Sequence, residues 1–339
     1  MKSWLPERFK RTARAAAGHA APVRPAAPAA SAEQVLRRLE WSVIRRLDGL
    51  LQGDYRTLMR GAGLDLADLR EYQHHDDVRH IDWNVTARLQ QPHVRVFTED
   101  REMAAWFLLD LSPSMDFGSG PQRKRQLSAE FVAVLARLLT RHGNRVGALL
   151  YGTGVDAVIP ARGGRAHVLQ LLHTLQNRPA AAAAVDGAGT RLHELLASAA
   201  GVVRRRSTVF VVSDFISAPG WEKPLAQLAM RHEVVAVRLV DPLEQALPDL
   251  GLIPIRDLET GEQLLVDTSD PGFRARFADL ATRREADLRA ALARAGVDTL
   301  ELTTGGDLVD TVMRFAELRR QRTRLSAGGG LPRHLRQAA

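Results

Sequence analysis

Trp106-Phe-Leu-Leu-Asp110-Leu-Ser112-Pro-Ser114-Met115 is the stretch on which the fold turns. Four large apolar residues run into an aspartate and then into two hydroxyl residues spaced Asp-x-Ser-x-Ser. The run is short and lacks period-2 alternation, which is how a strand covered on both faces reads. Such a strand belongs in a parallel sheet with helices on each side. Its carboxyl end opens on the edge where α/β proteins bind their ligands. Ser112 and Ser114 sit two apart, so on an extended loop both hydroxyls can face one way. With Asp110 they make half of a site for a hard divalent cation such as magnesium, which takes oxygen ligands. The plain alternative is a buried strand followed by a Ser-Pro-Ser turn.

Downstream, the chain alternates strand and helix. Lys124–Arg141 carries Leu127, Phe131, Val134, Leu135, Leu138 and Leu139 on one helical stripe. Val146–Tyr151 and Val155–Ile159 read as strands, and Arg165–Gln176 and Arg191–Val203 as helices. Val209-Phe-Val-Val-Ser213-Asp214 repeats the plan of the opening stretch, an apolar run that stops at an acid. Trp221–Arg231, Arg274–Ala295 and Leu308–Arg322 read as helices, and Val234–Val240 and Val297–Leu302 as strands. Residues 241–270 read as a hairpin insertion turning at Glu259-Thr-Gly261. This alternation predicts a mostly parallel sheet with right-handed crossovers. Thr190 follows Gly187-Ala-Gly189 and begins a helix. Alone it reads as an N-cap; with Asp110, Ser112, Ser114 and Asp214 it completes a set of hydroxyls and carboxylates at one sheet edge.

Upstream, residues 1–30 are basic and then Ala/Pro-rich, which reads as a disordered arm. Ser31–Leu51 has helical apolar spacing and a Ser31/Gln34 capping box. Its Arg37, Arg38, Arg45 and Arg46 read as a solvated face. Val85–Leu89 and His93–Thr98 read as two strands around Gln90-Gln91-Pro92. The expected organisation is therefore an arm (1–30), a helix with a small β-rich region (31–102), a main α/β domain (103–325) and a flexible tail (326–339).

Composition bounds the function. The chain has 339 residues, enough for one large domain and a smaller one. Having no cysteine, it can form neither disulfides, thiolate zinc sites nor a cysteine nucleophile, and it fits a reducing cytoplasm, the expected location. No segment approaches the roughly 20 apolar residues that span a bilayer. The net charge of +8 permits an acidic partner. Arginine is spread evenly, however, and aromatic residues for base stacking are few, which argues against nucleic acid.

In chain order, Asp110, Ser112, Ser114, Thr190 and Asp214 resemble the metal-ion-dependent adhesion site of von Willebrand factor type A domains. The resemblance implies that fold, a Rossmann-like α/β sheet flanked by helices. It also implies direct cation contacts from the three hydroxyls and largely water-mediated ones from the two carboxylates. Magnesium is the expected cation, with manganese or calcium as alternatives. Neutral direct ligands leave a cation electron-poor, so the site implied is a docking point for an outside acid rather than a reaction centre. No acid of this chain is obviously spare for that position. The expectation is therefore an Asp or Glu of a partner, steered by Arg123, Lys124, Arg125 and Arg191.

The preceding segment, Arg70-Glu-Tyr-Gln-His-His-Asp76-Asp77-Val-Arg79-His-Ile81-Asp82-Trp83-Asn-Val-Thr-Ala87-Arg88, is similar to the preamble of the bacterial domain of unknown function 58 family. Val94-Arg-Val-Phe97 and Glu99-Asp-Arg101-Glu102 extend the match. The resemblance marks Asp76, Asp77, Arg79, Asp82, Trp83 and Arg88 as a structural motif. It implies a protein–protein interaction module partnered with a MoxR-type AAA+ ATPase or its client, in assembly, maturation or stress handling.

The rival is a metal-dependent hydrolase built on His74, His75, Asp76, Asp77, His80 and Asp82, since His and carboxylate suit zinc or manganese. Pairing of the acids with Arg70, Arg79 and Arg88 explains the same residues. No P-loop, nucleophile elbow or second phosphatase acid is present, so no catalytic residue is expected.

Overall fold

A computed structural model describes residues 31–45, 47, 68–73, 78, 81–96, 104–179, 189–259 and 261–327. The basic arm, the alanine run before Gly189 and the residues after Ala327 lie outside these. So do His74, His75, Asp76, Asp77, Arg79 and His80.

Helix α1 (Ala32–Leu39) opens with the expected capping box: Gln34 N donates to Ser31 Oγ at 3.3 Å, and Ser31 N donates to Gln34 Oε1 at 3.0 Å. It continues through a π-helical turn, Glu40–Ile44. The small antiparallel pair β1 (Asp68–Glu71) and β2 (His93–Val96) brackets α2 (Trp83–Leu89).

Helix α2 overturns one expectation, because Val85–Leu89 is helical rather than a strand. Asp82 settles this locally. Its carboxylate accepts from Asn84 N at 3.0 Å and Val85 N at 3.2 Å, so two orphan donors of the first turn are satisfied. Gln90, with φ of 57°, closes the helix in the left-handed conformation. Trp83, the first residue of the helix, is 69% exposed.

The main sheet is built from β3 (Ala104–Asp110), β4 (Arg145–Tyr151), β5 (Val155–Arg162), β6 (Thr208–Ser213), β7 (Glu233–Val240) and β10 (Asp298–Thr303). Helices α3 (Lys124–Arg141), α4 (Arg165–Gln176), α5 (Leu192–Val202), α6 (Glu222–Arg231), α8 (Pro271–Arg294) and α9 (Leu308–Ala327) cover it. The short helix α7 (Pro242–Gln245) and the hairpin β8 (Leu252–Arg256) and β9 (Gln263–Asp267) stand outside the sheet. The spatial order is β10-β7-β6-β3-β4-β5, parallel throughout except for edge strand β5. The fold is thus α/β, a mostly parallel sheet flanked by helices, and α9 runs beyond the expected Arg322.

Period 2 along β3 divides the core. Ala105, Phe107 and Leu109 face α1, α3, α4 and α9, whereas Trp106 and Leu108 face α5, α6 and α8. Helix α1 belongs to the first layer. Leu36 and Leu39 are buried there, and Arg137 bonds Glu40 at 2.7 Å while Arg165 bonds Glu33 at 2.9 Å. Arg38 pairs with Glu130 on α3, so the arginine face of α1 is partly docked rather than simply solvated.

Gly147 lies directly opposite Trp106 in the β3–β4 ladder. A Cβ there would come within 2.8 Å of the indole ring and 3.0 Å of Ala161 N, at a β4–β5 register shift. A glycine at an irregularity is how a sheet admits so close a neighbour. Gly147→Ala is expected to cost about 1–3 kcal/mol through overpacking. The urea midpoint should fall, and Trp106→Leu on the same chain should recover part of the loss. An unchanged midpoint would show that the indole moves freely.

Candidate functional site

The site forms where β3 and β6 end side by side. The chain leaves Asp110, the last residue of β3, into a 3-10 turn at Pro113–Asp116, where proline ends strand pairing. Ser112 N donates back to Asp110 Oδ1 at 3.0 Å, and the Ser112 and Ser114 hydroxyls lie 3.2 Å apart. From β6, Ser213 Oγ donates to Asp110 Oδ2 at 2.6 Å and accepts from Phe215 N at 2.9 Å. Asp214 Oδ1 accepts from Ile216 N at 2.9 Å.

Between those bonds Phe215 has a φ of 58°. For a bulky residue the left-handed region carries strain of about 1–3 kcal/mol, held by surrounding structure. Here the Ser213 hydroxyl and the Trp221 ring, 5.4 Å away, hold it.

Thr190 follows Gly189, whose φ is 64°. Its hydroxyl does not cap α5; it donates to Glu259 Oε1 at 2.9 Å. The five expected residues, Asp110, Ser112, Ser114, Thr190 and Asp214, therefore line one sheet edge and are at most 7% exposed.

Four further residues complete the site. Ser213 ties the two aspartate strands together. Lys124, the first residue of α3, is fully buried, and its ammonium lies 2.6 Å from Asp214 Oδ2 and 2.6 Å from Glu244 Oε1. Glu259, at the hairpin turn, accepts from Ser114 N at 3.2 Å as well as from Thr190. Two sequence expectations change accordingly. Lys124 is an internal counter-ion rather than a surface steering charge, and an acid of this chain does reach the hydroxyls. Arg125 and Arg191 are engaged nearby, with Asp116 and Glu194.

Burial pushes the Asp110 carboxyl up to about 6, and repulsion from Asp214 adds to it; bonds from Ser213 and Ser112 pull the other way. Burial opposes the Lys124 charge, yet Asp214 and Glu244 more than offset it and raise its pKa above the usual lysine value. Burial also raises Glu259, partly offset by Thr190 and Ser114. Two carboxylates, Asp214 and Glu244, thus hold the ammonium, while Asp110 and Glu259 lie at the same site on hydroxyl and backbone partners.

Among the described residues, no three His, Asp or Glu side chains gather into a metal-ligating group by themselves. What gathers is hydroxyl-led. Ser112, Ser114 and Thr190 supply neutral oxygens, and Asp110 and Asp214 keep lone pairs beyond the bonds described. The carboxyl groups of Asp110, Asp214, Glu244 and Glu259 outnumber the single Lys124 ammonium, an excess of the sign that a cation would balance. The donor set fits a small hard cation such as magnesium.

A mostly parallel α/β sheet with hydroxyls and carboxylates gathered at its carboxyl edge defines the class. The chain belongs to the family described as protein of unknown function DUF58, whose model matches residues 68–287. An uncharacterized protein of Mycobacterium tuberculosis H37Rv is 37% identical over 286 residues, covering 84% of this chain and 89% of that protein. An uncharacterized protein of Mycobacterium avium is 34% identical over 163 residues, covering 48% of this chain and 94% of that one. Similar solved structures include the conserved hypothetical protein BatB from Bacteroides thetaiotaomicron, with 13% identity and a TM-score of 0.41, covering 65% of this chain and 99% of that chain. The SpRpn10 VWA domain has 14% identity and a TM-score of 0.34, covering 62% of this chain and 93% of that chain. No helix among the described residues is long and apolar enough to cross a membrane.

Proposed function

We propose that this protein is a protein–protein interaction module whose sheet-edge site binds a divalent cation, magnesium first, and through it an acidic side chain. The observation that carries the reading is the convergence of Ser112, Ser114 and Thr190 beside Asp110 and Asp214 on neighbouring parallel strands. When bound, the cation supplies an electrophilic point for an acidic oxygen. The chain's own residues do the rest. The hydroxyls present neutral oxygens, Asp110 and Ser213 lock the two strand ends together, and Lys124 holds Asp214 in place. The hydroxyls that do meet a carboxylate, Ser213 on Asp110 and Thr190 on Glu259, are buried ties between elements, and the reading takes the site as one of recognition rather than turnover. The family resemblance supplies the partner in this reading, a MoxR-type AAA+ ATPase or its client.

Divalent cation is expected to raise the melting temperature. A ligand at one hundred times its Kd stabilises the folded state by about 2.7 kcal/mol. In a domain of this size that corresponds to roughly 5–10 °C. Ser112→Ala with Ser114→Ala should abolish the rise. An unchanged melting curve in millimolar magnesium, manganese or calcium would remove the cation from the reading, leaving Lys124 as the site's only balancing charge. Capture of the ATPase by the wild-type chain should be lost in chelator and in Asp110→Asn.

A further inference from the structure

Glu259 is an acid at the turn of a hairpin, yet its carboxylate lies inside the site. One oxygen, Oε1, serves both Thr190 Oγ1 at 2.9 Å and Ser114 N at 3.2 Å, and the residue is 9% exposed. The turn is built to present it. Asp257 Oδ1 accepts from Glu259 N at 2.9 Å, Asp257 O accepts from Gly261 N at 2.8 Å, and Asp257 N donates to Glu262 O at 2.8 Å.

The hairpin itself is lightly anchored. Its apolar cluster is Leu264 and Val266 with Ile255 and Phe273, separate from the two sheet-face cores, and Leu252 is 62% exposed. At its base Thr268 bonds Leu250 N and Gly251 O, and Gly251 has a φ of 73°. An element with a small apolar cluster of its own and its tip on a polar site lies at the low-stability end of a structure.

We infer that Glu259 is an internal ligand of the sheet-edge site, occupying the position an acidic side chain of a partner would take, and that a partner must displace the β8–β9 hairpin to bind. This rests on the cation reading above and adds to it a self-capped resting state. Glu259 bonds the Thr190 hydroxyl and Ser114 N, and Ser112, Ser114 and Thr190 are all buried, so in this reading an outside carboxylate reaches them only when the hairpin lifts. A carboxylate carried by the same chain has a high effective concentration, so free acids compete poorly with it until a partner adds contacts elsewhere.

The test uses the full chain loaded with manganese alone, with acetate as the smallest mimic of an acidic side chain. Pulsed electron paramagnetic resonance in 17O-water reads the waters on the bound ion, and 13C-acetate reads entry of an outside carboxylate. In the wild type, acetate is expected to give no carboxylate coupling. Glu259→Ala should gain one water per manganese, and millimolar acetate should replace it with a visible 13C coupling. Glu259→Gln, which keeps the side chain's length and a carbonyl oxygen, should also admit acetate and guards against a folding defect in the alanine variant. Equal hydration and equal acetate response in wild type and both variants would overturn the inference while leaving the cation reading intact. Failure of all three proteins to bind manganese would overturn both.

Discussion

Lys124→Met is expected to be among the most destabilising single changes in this chain, by about 3–5 kcal/mol. The ammonium is fully buried, 2.6 Å from each of two carboxylates, with the Phe117 ring centroid 5.8 Å away. Removing it strands Asp214 and Glu244 beside Asp110 without a cation, and an uncompensated buried charge costs far more than a missing contact. The melting temperature, measured in chelator, should fall by on the order of 10 °C. The triple change Lys124→Met, Asp214→Asn, Glu244→Gln should recover much of this, because replacing a whole buried ionic group is often close to neutral. A loss below about 1 kcal/mol for Lys124→Met alone would mean that the ammonium is not what balances the site.

Phe210→Ala should cost a similar amount for a different reason. Phe210 is 2% exposed on β6, stacked on Phe107 at 5.3 Å and edge-on to Phe131 at 6.2 Å. Truncating a buried Phe to Ala costs about 3–5 kcal/mol, and each aromatic pair adds about 0.5–1.5. Phe107 and Phe210 are partners in the β3–β6 ladder, the pair of strands whose ends carry Asp110 and Asp214. Phe210→Leu keeps most of the volume and should lose less than half as much. Denaturant titration of the two variants separates the cavity from the ring contacts; equal losses would assign the whole effect to aromatic geometry.

The sheet, and the placing of Asp110, Ser112, Ser114 and Asp214 at its carboxyl edge, were legible because their signals are local. An unbroken apolar run ending in an acid is how a doubly covered strand must be written, and both Trp106–Asp110 and Val209–Asp214 carry it. The α2 region misled because seven residues are too few to show helical period, and its deciding feature is the single cap at Asp82. Lys124 stands between Arg123 and Arg125 at the start of an amphipathic helix, which reads as surface. Its partners lie 90 and 120 residues away, so nothing nearby announces its burial. One hint existed, since it is one of only four lysines in a chain with 47 basic residues. Glu259 gave no such hint. An acid in a hairpin turn is ordinary, and only the tertiary placement of that turn brings it to Ser114 and Thr190.

The strand order also sets when the site comes into being. Of the main sheet's strands β3 is made first, yet its neighbour β6 follows about a hundred residues later, the separation between Asp110 and Ser213 being 103. At about 5–20 residues per second, a ribosome needs roughly 5–20 s to supply the partner strand. Until then Asp110 lacks the hydroxyl that holds it, and the far side of β3 has no ladder. Glu259 emerges later still, after Lys124, Thr190 and Asp214 are in place. Among the site's residues, the acid that reaches Thr190 and Ser114 is therefore the last to be synthesised.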